Sequence, residues 1–212
     1  MARTLSSRRK KKVFCIGQNK TGTTSMAAAL AQLGYKVGEQ SVAELLIEDW
    51  SRRDFRRIVR YCASADAFQD IPFSLDYTYQ AVDCAYPGSK FILTVRSSGD
   101  EWYASLIRFH TKIIGKNRLP TAADLKEFSY RRRGWLWEVM RLIYGDAEES
   151  LYDRETYIRR YEEHNRRVLD YFRNRPDDLL VLNVADHDAM RKLCSFLGKK
   201  YDDSAMPHLN RS

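Results

Sequence analysis

Cysteine is scarce in this sequence, and the cysteines that occur fit no common metal-binding pattern. They are Cys15, Cys62, Cys84 and Cys194, and no two of them are spaced as C-x-x-C. The absence of that spacing argues against a zinc site. All four lie in apolar, periodic segments, which predicts buried free thiols and therefore a reducing compartment.

Long apolar runs, internal repeats and low-complexity linkers are also absent. No apolar run approaches the roughly 18 residues that a membrane-spanning helix needs. The basic start of the chain is not followed by the apolar core of a signal peptide. These absences predict a soluble, cytoplasmic protein without a transmembrane segment, and 212 residues suffice for one domain with a substantial core.

Acidic residues are outnumbered, since 36 Lys and Arg stand against 28 Asp and Glu and give a net charge of +8. This excess favours an anionic ligand, a nucleic acid or an acidic surface as partner. Part of it lies in "RRKKK", residues 8–12, directly before the first predicted strand. We interpret residues 1–12 as a basic, flexible tail and residues 13–212 as the domain. A nucleic-acid or membrane-surface contact is the alternative for the tail.

The apolar segments that are present predict an α/β domain. Strands are predicted for "VFCIG" (13–17), "KFILTVR" (90–96) and "DLLVLNV" (178–184), with a strand end in "DAFQDIPF" (66–73). Helical patterns cover 23–35, 41–64 (one or two helices), 75–88, 99–115, much of 119–176, and 188–198. This order predicts a single doubly wound domain with a central parallel sheet, a P-loop-like strand–loop–helix opening and helical insertions.

The segment "GQNKTGTTS", residues 17–25, is the most informative part of the chain. It keeps the glycine spacing of the P-loop, G-x-x-x-x-G-K-[ST], but its lysine, Lys20, precedes the second glycine. A glycine-rich turn before a helix directs backbone N–H groups and the positive end of the helix dipole at one point. With Lys20 and three adjacent hydroxyl residues, this favours a phosphate or sulfate ester; the alternative is a plain turn with capping threonines.

Arg96 ends the clearest predicted strand and supplies a second anion-binding group. Open α/β sheets bind ligands at the carboxyl ends of their strands. No carboxylate is clearly placed to hold the magnesium ion that phosphoryl transfer would need. These features favour a nucleotide with phosphates at two positions. The alternatives are a magnesium-dependent P-loop small-molecule kinase, and a non-catalytic module that binds a nucleotide or a nucleic acid.

"NKTGTTS" resembles the "PKSGTTW"-type loop of sulfotransferases that use 3′-phosphoadenosine 5′-phosphosulfate. "YPGSKFILTVR", followed by "EWYASL", resembles the segment with which they bind the 3′-phosphate. "LLVLNV", "LCSFLG" and "PHLN" are similar to small P-loop sulfotransferases with an "NKTGTTS" loop, so the resemblance covers nearly all of the chain after the tail. It implies metal-free transfer of a sulfuryl group to a hydroxyl or amine of a small-molecule or glycan acceptor. Adenosine 3′,5′-bisphosphate would be the product, and nucleic acid would not be a partner.

The resemblance also implies residue roles. Lys20 would contact the leaving oxygen of the donor, and Arg96 would bind its 3′-phosphate. Ser105 would assist Arg96, although it stands one residue later than in the family, and Ser97 or Ser98 are alternatives. The other donor-binding residues would be Gln18, Asn19, Thr21, Gly22, Thr23, Thr24 and Ser25.

The family's cytosolic members carry a catalytic histidine in a "THLP"-like segment, and "QDIP" places Asp70 at that position. A carboxylate can serve as general base for an acceptor hydroxyl, so Asp70 is the candidate base; the alternative is a structural role before Pro72. His208, in the irregular C-terminal segment, is a second candidate. His110 and His164 lie within helical patterns and are interpreted as surface or core-edge residues.

Aromatic residues are frequent in the helical region 119–176 and are interpreted as helix packing, with one or two available to line an acceptor pocket. They include Trp135, Trp137, Tyr144, Tyr152, Tyr157 and Tyr161.

Overall fold

The structure is a computed structural model that describes residues 11–116, 118–146 and 148–207. Most of the basic tail and the candidate His208 therefore lie outside the described residues. The centre of the domain is a parallel sheet. Its strands are β1 (Val13–Cys15), β2 (Ala67–Gln69), β3 (Lys90–Thr94) and β4 (Leu179–Leu182).

The strand order in the sheet is β2-β1-β3-β4. The chain runs from β1 to β2 on one side and then crosses to β3 on the other side of β1. The direction of winding therefore reverses between β1 and β3, and such a switch point is where open α/β sheets bind ligands. Strand and helix order together confirm the predicted doubly wound α/β domain.

Helices cover both faces of the sheet, and none among the described residues is long and apolar enough to cross a membrane. The α-helices are α1 (Thr23–Gln32), α2 (Gln40–Glu44), α3 (Ile47–Ser51), α4 (Arg56–Tyr61), α5 (Thr78–Ala85), α6 (Gly99–Ile114), α7 (Ala122–Glu127), α8 (Trp135–Tyr144), α9 (Arg154–Phe172) and α10 (Ala189–Leu197). Single 3-10 turns occur at Cys62–Ser64, Glu148–Ser150 and Pro176–Asp178.

The prediction of one or two helices over residues 41–64 was wrong. The segment forms α2, α3, α4 and a 3-10 turn. Arg53 has a φ of 57°, a left-handed conformation that cannot continue an α-helix, so α3 ends there. The Asp54 carboxylate then accepts the backbone N–H of Arg56 at 3.1 Å, which holds the turn before α4.

The core is divided by the sheet into two apolar clusters. On β1, Phe14 points into one cluster while Val13 and Cys15 point into the other, as the alternation of a strand requires. Phe14 stacks on Phe68 and Phe91, with ring centroids 5.7 and 5.5 Å apart. The central strand β1 is therefore buried on both faces of the sheet.

Three of the cysteines are buried, as predicted, but Cys84 is exposed. In α5 the buried residues include Thr78, Tyr79 and Val82. Cys84 follows Val82 by two positions, about 200° around the helix, and therefore faces solvent. All four cysteines are free thiols.

Candidate active site

The loop between β1 and α1 is shaped by two close approaches that glycine permits. A Cβ on Gly17 would lie 2.1 Å from Thr94 Oγ1, so the loop leaves β1 tightly against β3. Gly22 has a φ of 97°, and its Cβ would lie 2.3 Å from Val184 Cγ2. The two glycines of the predicted motif therefore fix the path of the loop across the switch point.

Three side chains bind the carbonyl oxygens of this loop, two from other elements and one from the loop itself. The indole Nε1 of Trp102, on α6, donates to Asn19 O at 2.9 Å. Arg96 Nε donates to Lys20 O at 2.8 Å, at the end of β3. Thr21 Oγ1 donates to Gln18 O at 2.5 Å. These bonds fix the backbone of the loop from the side of the protein core.

The start of α1 has no side-chain cap. Its N-cap residue is Gly22, and Met26 donates the first backbone bond, to Gly22 O at 2.9 Å. The N–H groups of Gly22, Thr23 and Thr24 precede that bond and have no partner within the helix. Uncapped N–H groups at the positive end of a helix dipole form an anion-binding site.

Lys20 carries the charge of this loop in a crowded electropositive environment. Its backbone is left-handed, with a φ of 66°, and its Nζ lies 3.8 Å from the centroid of the Phe109 ring. Burial, together with Arg96 and other nearby cations, lowers the pKa of Lys20 to about 8, and the charge of Asp70 partly opposes this decrease. A bound anion would stabilise the charged lysine.

Arg96 lies at the carboxyl end of β3, which is the position predicted from the sequence. Its backbone N–H donates to Tyr161 Oη at 2.9 Å, and its Nη1 donates to Glu101 Oε1 at 3.1 Å. The other oxygen of Glu101 accepts the N–H of Ser97 at 3.1 Å. The Glu101 carboxylate thus contacts Arg96 as a ligand anion would.

Asp70 follows β2 and also has a left-handed backbone, with a φ of 60°. Its Oδ2 accepts the hydroxyl of Thr23 at 2.8 Å, and its Oδ1 accepts the N–H of Ile71 at 2.8 Å. Burial raises the pKa of Asp70, while these two hydrogen bonds and the charge of Lys20 partly offset the rise. The result is a half-buried carboxylate whose proton affinity is increased.

The loop and Asp70 meet at one end of a cavity of about 180 Å³. Its polar wall contains Asn19, Lys20, Gly22, Thr23, Thr24, Asp70 and Arg96, together with Glu44 and His110. The rest of the wall is apolar or aromatic and is formed by Ile71, Phe109, Ile113, Tyr130, Trp135, Leu136, Val139, Met140, Ile143 and Tyr144. Of the six aromatic residues named in the sequence analysis, Trp135 and Tyr144 line this wall.

Four of the predicted donor-binding residues do not line this cavity: Gln18, Thr21, Ser25 and Ser105. The hydroxyl of Thr21 is fully buried and contacts Gln18 O and Thr94 Oγ1, at 2.5 and 2.6 Å. Ser105 is 1% exposed on the inner face of α6. Of the alternatives to Ser105, Ser98 accepts the N–H of Glu101 as the cap of α6, and Ser97 accepts Asn183 Nδ2 at 3.3 Å.

Sequence reasoning missed two titratable groups of the cavity. His110 was interpreted as a surface or core-edge residue, yet it is buried and lines the cavity, and its Nδ1 lies 2.8 Å from Tyr152 Oη. Burial lowers the pKa of His110 to about 3, so the ring is neutral. Burial, reinforced by Asp70, raises the pKa of Glu44 to about 7, while an ion pair with Arg131 opposes the rise. A signal existed for His110, because it continues the buried stripe of Trp102 and Leu106 at intervals of four.

The groups that can donate to an anion are the uncapped N–H groups of the loop, Lys20, and the Arg96 guanidinium, which lies against the loop. Donors of this kind fit the anionic groups of a nucleotide. Glu101 fits such a ligand poorly, since its carboxylate would compete for Arg96. Within the described ranges, no cluster of three or more His, Cys, Asp or Glu side chains is arranged to hold a metal ion.

Comparison with known proteins identifies the family. A family model described as a sulfotransferase domain matches residues 12–212. A comparison with curated proteins gave no match. The matched range includes the loop, Asp70 and Arg96, and extends over nearly the whole chain. The chain therefore belongs to the sulfotransferase family, and the protein is a transferase of sulfuryl groups.

Proposed function

We propose that this protein transfers a sulfuryl group from 3′-phosphoadenosine 5′-phosphosulfate to a hydroxyl or amine of a small acceptor with an apolar body. The observation that carries the proposal is that an uncapped, lysine-bearing loop and the half-buried carboxylate of Asp70 meet at one end of a cavity whose remaining wall is apolar. That arrangement provides an anion site, a base and an acceptor pocket at the switch point of the sheet.

The loop would bind the 5′-phosphosulfate of the donor, and Arg96 its 3′-phosphate. When bound, the donor supplies a sulfuryl group attached to a phosphate leaving group. Lys20 and the N–H groups of Gly22, Thr23 and Thr24 would stabilise the charge that grows on the bridging oxygen as its bond to sulfur breaks. Because Lys20 is partly buried, its electrostatic interaction with this oxygen would be stronger than the same interaction in water.

Asp70 would accept the proton of the acceptor as its oxygen or nitrogen bonds to sulfur. Each of its carboxylate oxygens already accepts one hydrogen bond, which leaves a lone pair on each for the acceptor. Because the Thr23 hydroxyl donates its single proton to Asp70, Thr23 would contact the donor through its backbone N–H. The raised pKa of Asp70 brings its proton affinity closer to the value that a base needs near neutral pH.

The cavity wall favours an acceptor with one aromatic ring or a comparable aliphatic group. An apolar cavity of about 150 Å³ holds a benzene molecule, and this cavity has a volume of about 180 Å³. Beyond the polar end, α6 and α8 contribute mainly Phe, Ile, Leu, Val, Met and Trp side chains. A glycan would place its hydroxyls against these apolar groups, where they would find no hydrogen-bond partners.

The function is tested by nucleotide binding followed by a transfer assay. Adenosine 3′,5′-bisphosphate should stabilise the protein in a thermal-shift measurement with a chelator present, by roughly 2.7 kcal/mol at 100 times its dissociation constant. Labelled donor should then transfer its sulfuryl group to members of a panel of single-ring phenols and amines. A thermal shift seen with ATP and magnesium alone would instead identify a kinase. Nucleotide binding without transfer to any member of a broad panel would identify a binding module.

A further inference from the structure

A second cavity, of about 190 Å³, begins at Gln18, one residue before the part of the loop that lines the active site. Trp50 of α3, Leu142 and Ile143 of α8, and several residues of α9 form its other walls. Ile143 lines both cavities. This volume far exceeds the roughly 10–15 Å³ that one water molecule needs, so the second cavity has room for a ligand.

The walls of this cavity carry more positive than negative charge. Three arginines line it, Arg53, Arg160 and Arg167, against one carboxylate, Asp76. Asp76 is already paired with Arg167 at 2.5 Å. In the described parts of the chain, no carboxylate forms an ion pair with Arg53 or Arg160. Two guanidinium groups are therefore available to an anion.

Buried polar atoms in the same walls lack partners. The Oε1 of Gln18, the Nε of Arg160 and the Nδ1 of His164 make no hydrogen bond to any described residue. Gln18 is 8% exposed and His164 is 2% exposed. Buried polar side-chain atoms are nearly always paired in folded proteins, so three unpaired atoms around one cavity indicate partners that the chain does not supply.

The orientation of His164 is fixed by the strand that precedes the loop. Its Nε2 lies 2.8 Å from the carbonyl oxygen of Ile16, which can only accept, so Nε2 carries a proton. Its Nδ1 then lies 3.5 Å from Asp76 Oδ1, too far for a hydrogen bond. The Nδ1 atom therefore has no hydrogen-bond partner among the described residues. The amide of Gln18 can present either its oxygen or its NH2 group to the same space.

Arg53 is held in place by aromatic rings. Its guanidinium carbon lies 4.9 Å from the centroid of the Trp50 ring and 4.6 Å from that of the Tyr77 ring. Stacking of this kind leaves the N–H edge of the guanidinium free for a ligand. Because its orientation is already fixed, Arg53 would lose little side-chain entropy on binding.

We propose that this second cavity is an oxyanion site, which takes a sulfate, phosphate or carboxylate group separately from the donor loop. The oxygens of the anion would accept from the Nε–H of Arg160, the guanidinium of Arg53 and the NH2 of Gln18. The anion comes either from a free inorganic ion or from an acidic group on the acceptor, which would reach past Ile143. Occupancy by a free ion does not depend on the proposed function.

The site is tested by titrating inorganic sulfate into the full chain by calorimetry, with saturating adenosine 3′,5′-bisphosphate and with ionic strength held constant by sodium chloride. Arg160→Met and Arg53→Met should each raise the dissociation constant for sulfate about tenfold or more. Arg166→Met removes the same charge from an exposed position on α9 outside the cavity walls and should leave that constant unchanged.

Equal sulfate affinities in all three variants would overturn the proposal and leave the cavity to water. If Arg160→Met fails to fold, Arg53→Met decides the question, because Arg53 is exposed and makes no ion pair with the described residues. The comparison of the variants does not need transfer activity, and it holds whether or not the nucleotide binds, because the donor loop is intact in every variant.

The source of the anion is identified by a second measurement, which rests on the proposed function. The KM of a phenol with a carboxylate side group is compared with that of its neutral analogue. If the acceptor carries the anion, Arg160→Met should raise the KM of the acidic phenol alone. If a free ion is the ligand, both KM values should stay unchanged while sulfate binding weakens.

Discussion

Glu101 contacts the guanidinium of Arg96, which we expect to bind the 3′-phosphate of the donor. Removal of the negative charge of Glu101 should therefore strengthen donor binding. Its carboxylate accepts from Arg96 Nη1 and from the N–H of Ser97, each at 3.1 Å. A 3′-phosphate could reach Arg96 only by displacing this carboxylate or by lying beside it. Glu101→Gln keeps the size of the side chain and removes the competing charge.

The expected gain has two parts. Releasing a partly exposed ion pair is worth about 0.2–1 kcal/mol, and the Arg96 and Glu101 side chains are 21% and 40% exposed. A carboxylate about 4 Å from a phosphate charge adds about 1 kcal/mol of repulsion at the dielectric constant of water. Together these terms predict roughly 5–30-fold tighter binding of adenosine 3′,5′-bisphosphate.

The assay is isothermal titration with adenosine 3′,5′-bisphosphate and with adenosine 5′-phosphate, which lacks the 3′-phosphate. Only the first nucleotide should gain affinity in Glu101→Gln. Asp100→Asn is the matched control, since Asp100 lies in the same turn of α6 but contacts Arg154 rather than Arg96. Equal gains for both nucleotides would refute the reasoning. Weaker binding of the bisphosphate would show that Glu101 orients Arg96 for its ligand.

Three further outcomes follow from the site. Nucleotide affinity should fall as pH rises through about 8, because burial lowers the pKa of Lys20 to about 8 and bound phosphate needs the charged form; calorimetry across that range should show no such fall for Lys20→Arg. Asp70→Asn should reduce turnover by roughly 10²–10⁴-fold with donor affinity retained, whereas near-normal turnover would mean that Asp70 only orients Thr23. Thr21→Val should lower the free energy of unfolding by about 1–3 kcal/mol in urea titrations, because it removes the buried hydroxyl that contacts both Gln18 O and Thr94 Oγ1; a selective loss of nucleotide affinity at unchanged stability would place Thr21 in the donor site.

The ionisation of Lys20 also makes the free energy of unfolding depend on pH. Burial lowers its folded pKa below the ordinary value of 10.5, so the folded state disfavours the charged lysine. This destabilisation is fully present below about pH 8, and it is relieved as pH rises from there toward 10.5. A bound nucleotide would have the opposite effect, because it would stabilise the charged form of Lys20 in the folded protein.

Local features made most of the fold predictable from the sequence. The glycine spacing and the apolar run before it specify β1, the loop and α1, since each depends on neighbouring residues. The breaks between α2, α3 and α4 were not predictable in the same way. They depend on the left-handed Arg53, whose guanidinium stacks on Trp50 and on Tyr77, a residue 24 positions further on (77 − 53).

The residues of the cavity wall were predictable where they follow the ends of strands, and less so where a helix presents side chains. Lys20 and Arg96 follow directly from strand ends, and both line the cavity. Ser105 follows Arg96 by one residue more than in the family pattern, and one residue on a helix is a rotation of about 100°. The structure places Ser105 inside the core and Glu101 against Arg96. The apolar wall was not predictable, because α6 and α8 meet there only after folding.

The position of Asp70 links base strength to donor binding in the proposed reaction. Burial raises the pKa of Asp70, and the charge of Lys20 moderates that rise while the loop holds no anion. A bound phosphosulfate would neutralise Lys20 and add negative charge beside Asp70, and both changes raise the pKa of a carboxyl group. The proton affinity of Asp70 would therefore be greatest when the donor is in place, which is when the acceptor must lose its proton. Because Thr23 bonds to Asp70 through its hydroxyl and belongs to the first turn of α1, the same residue connects the base to the anion site.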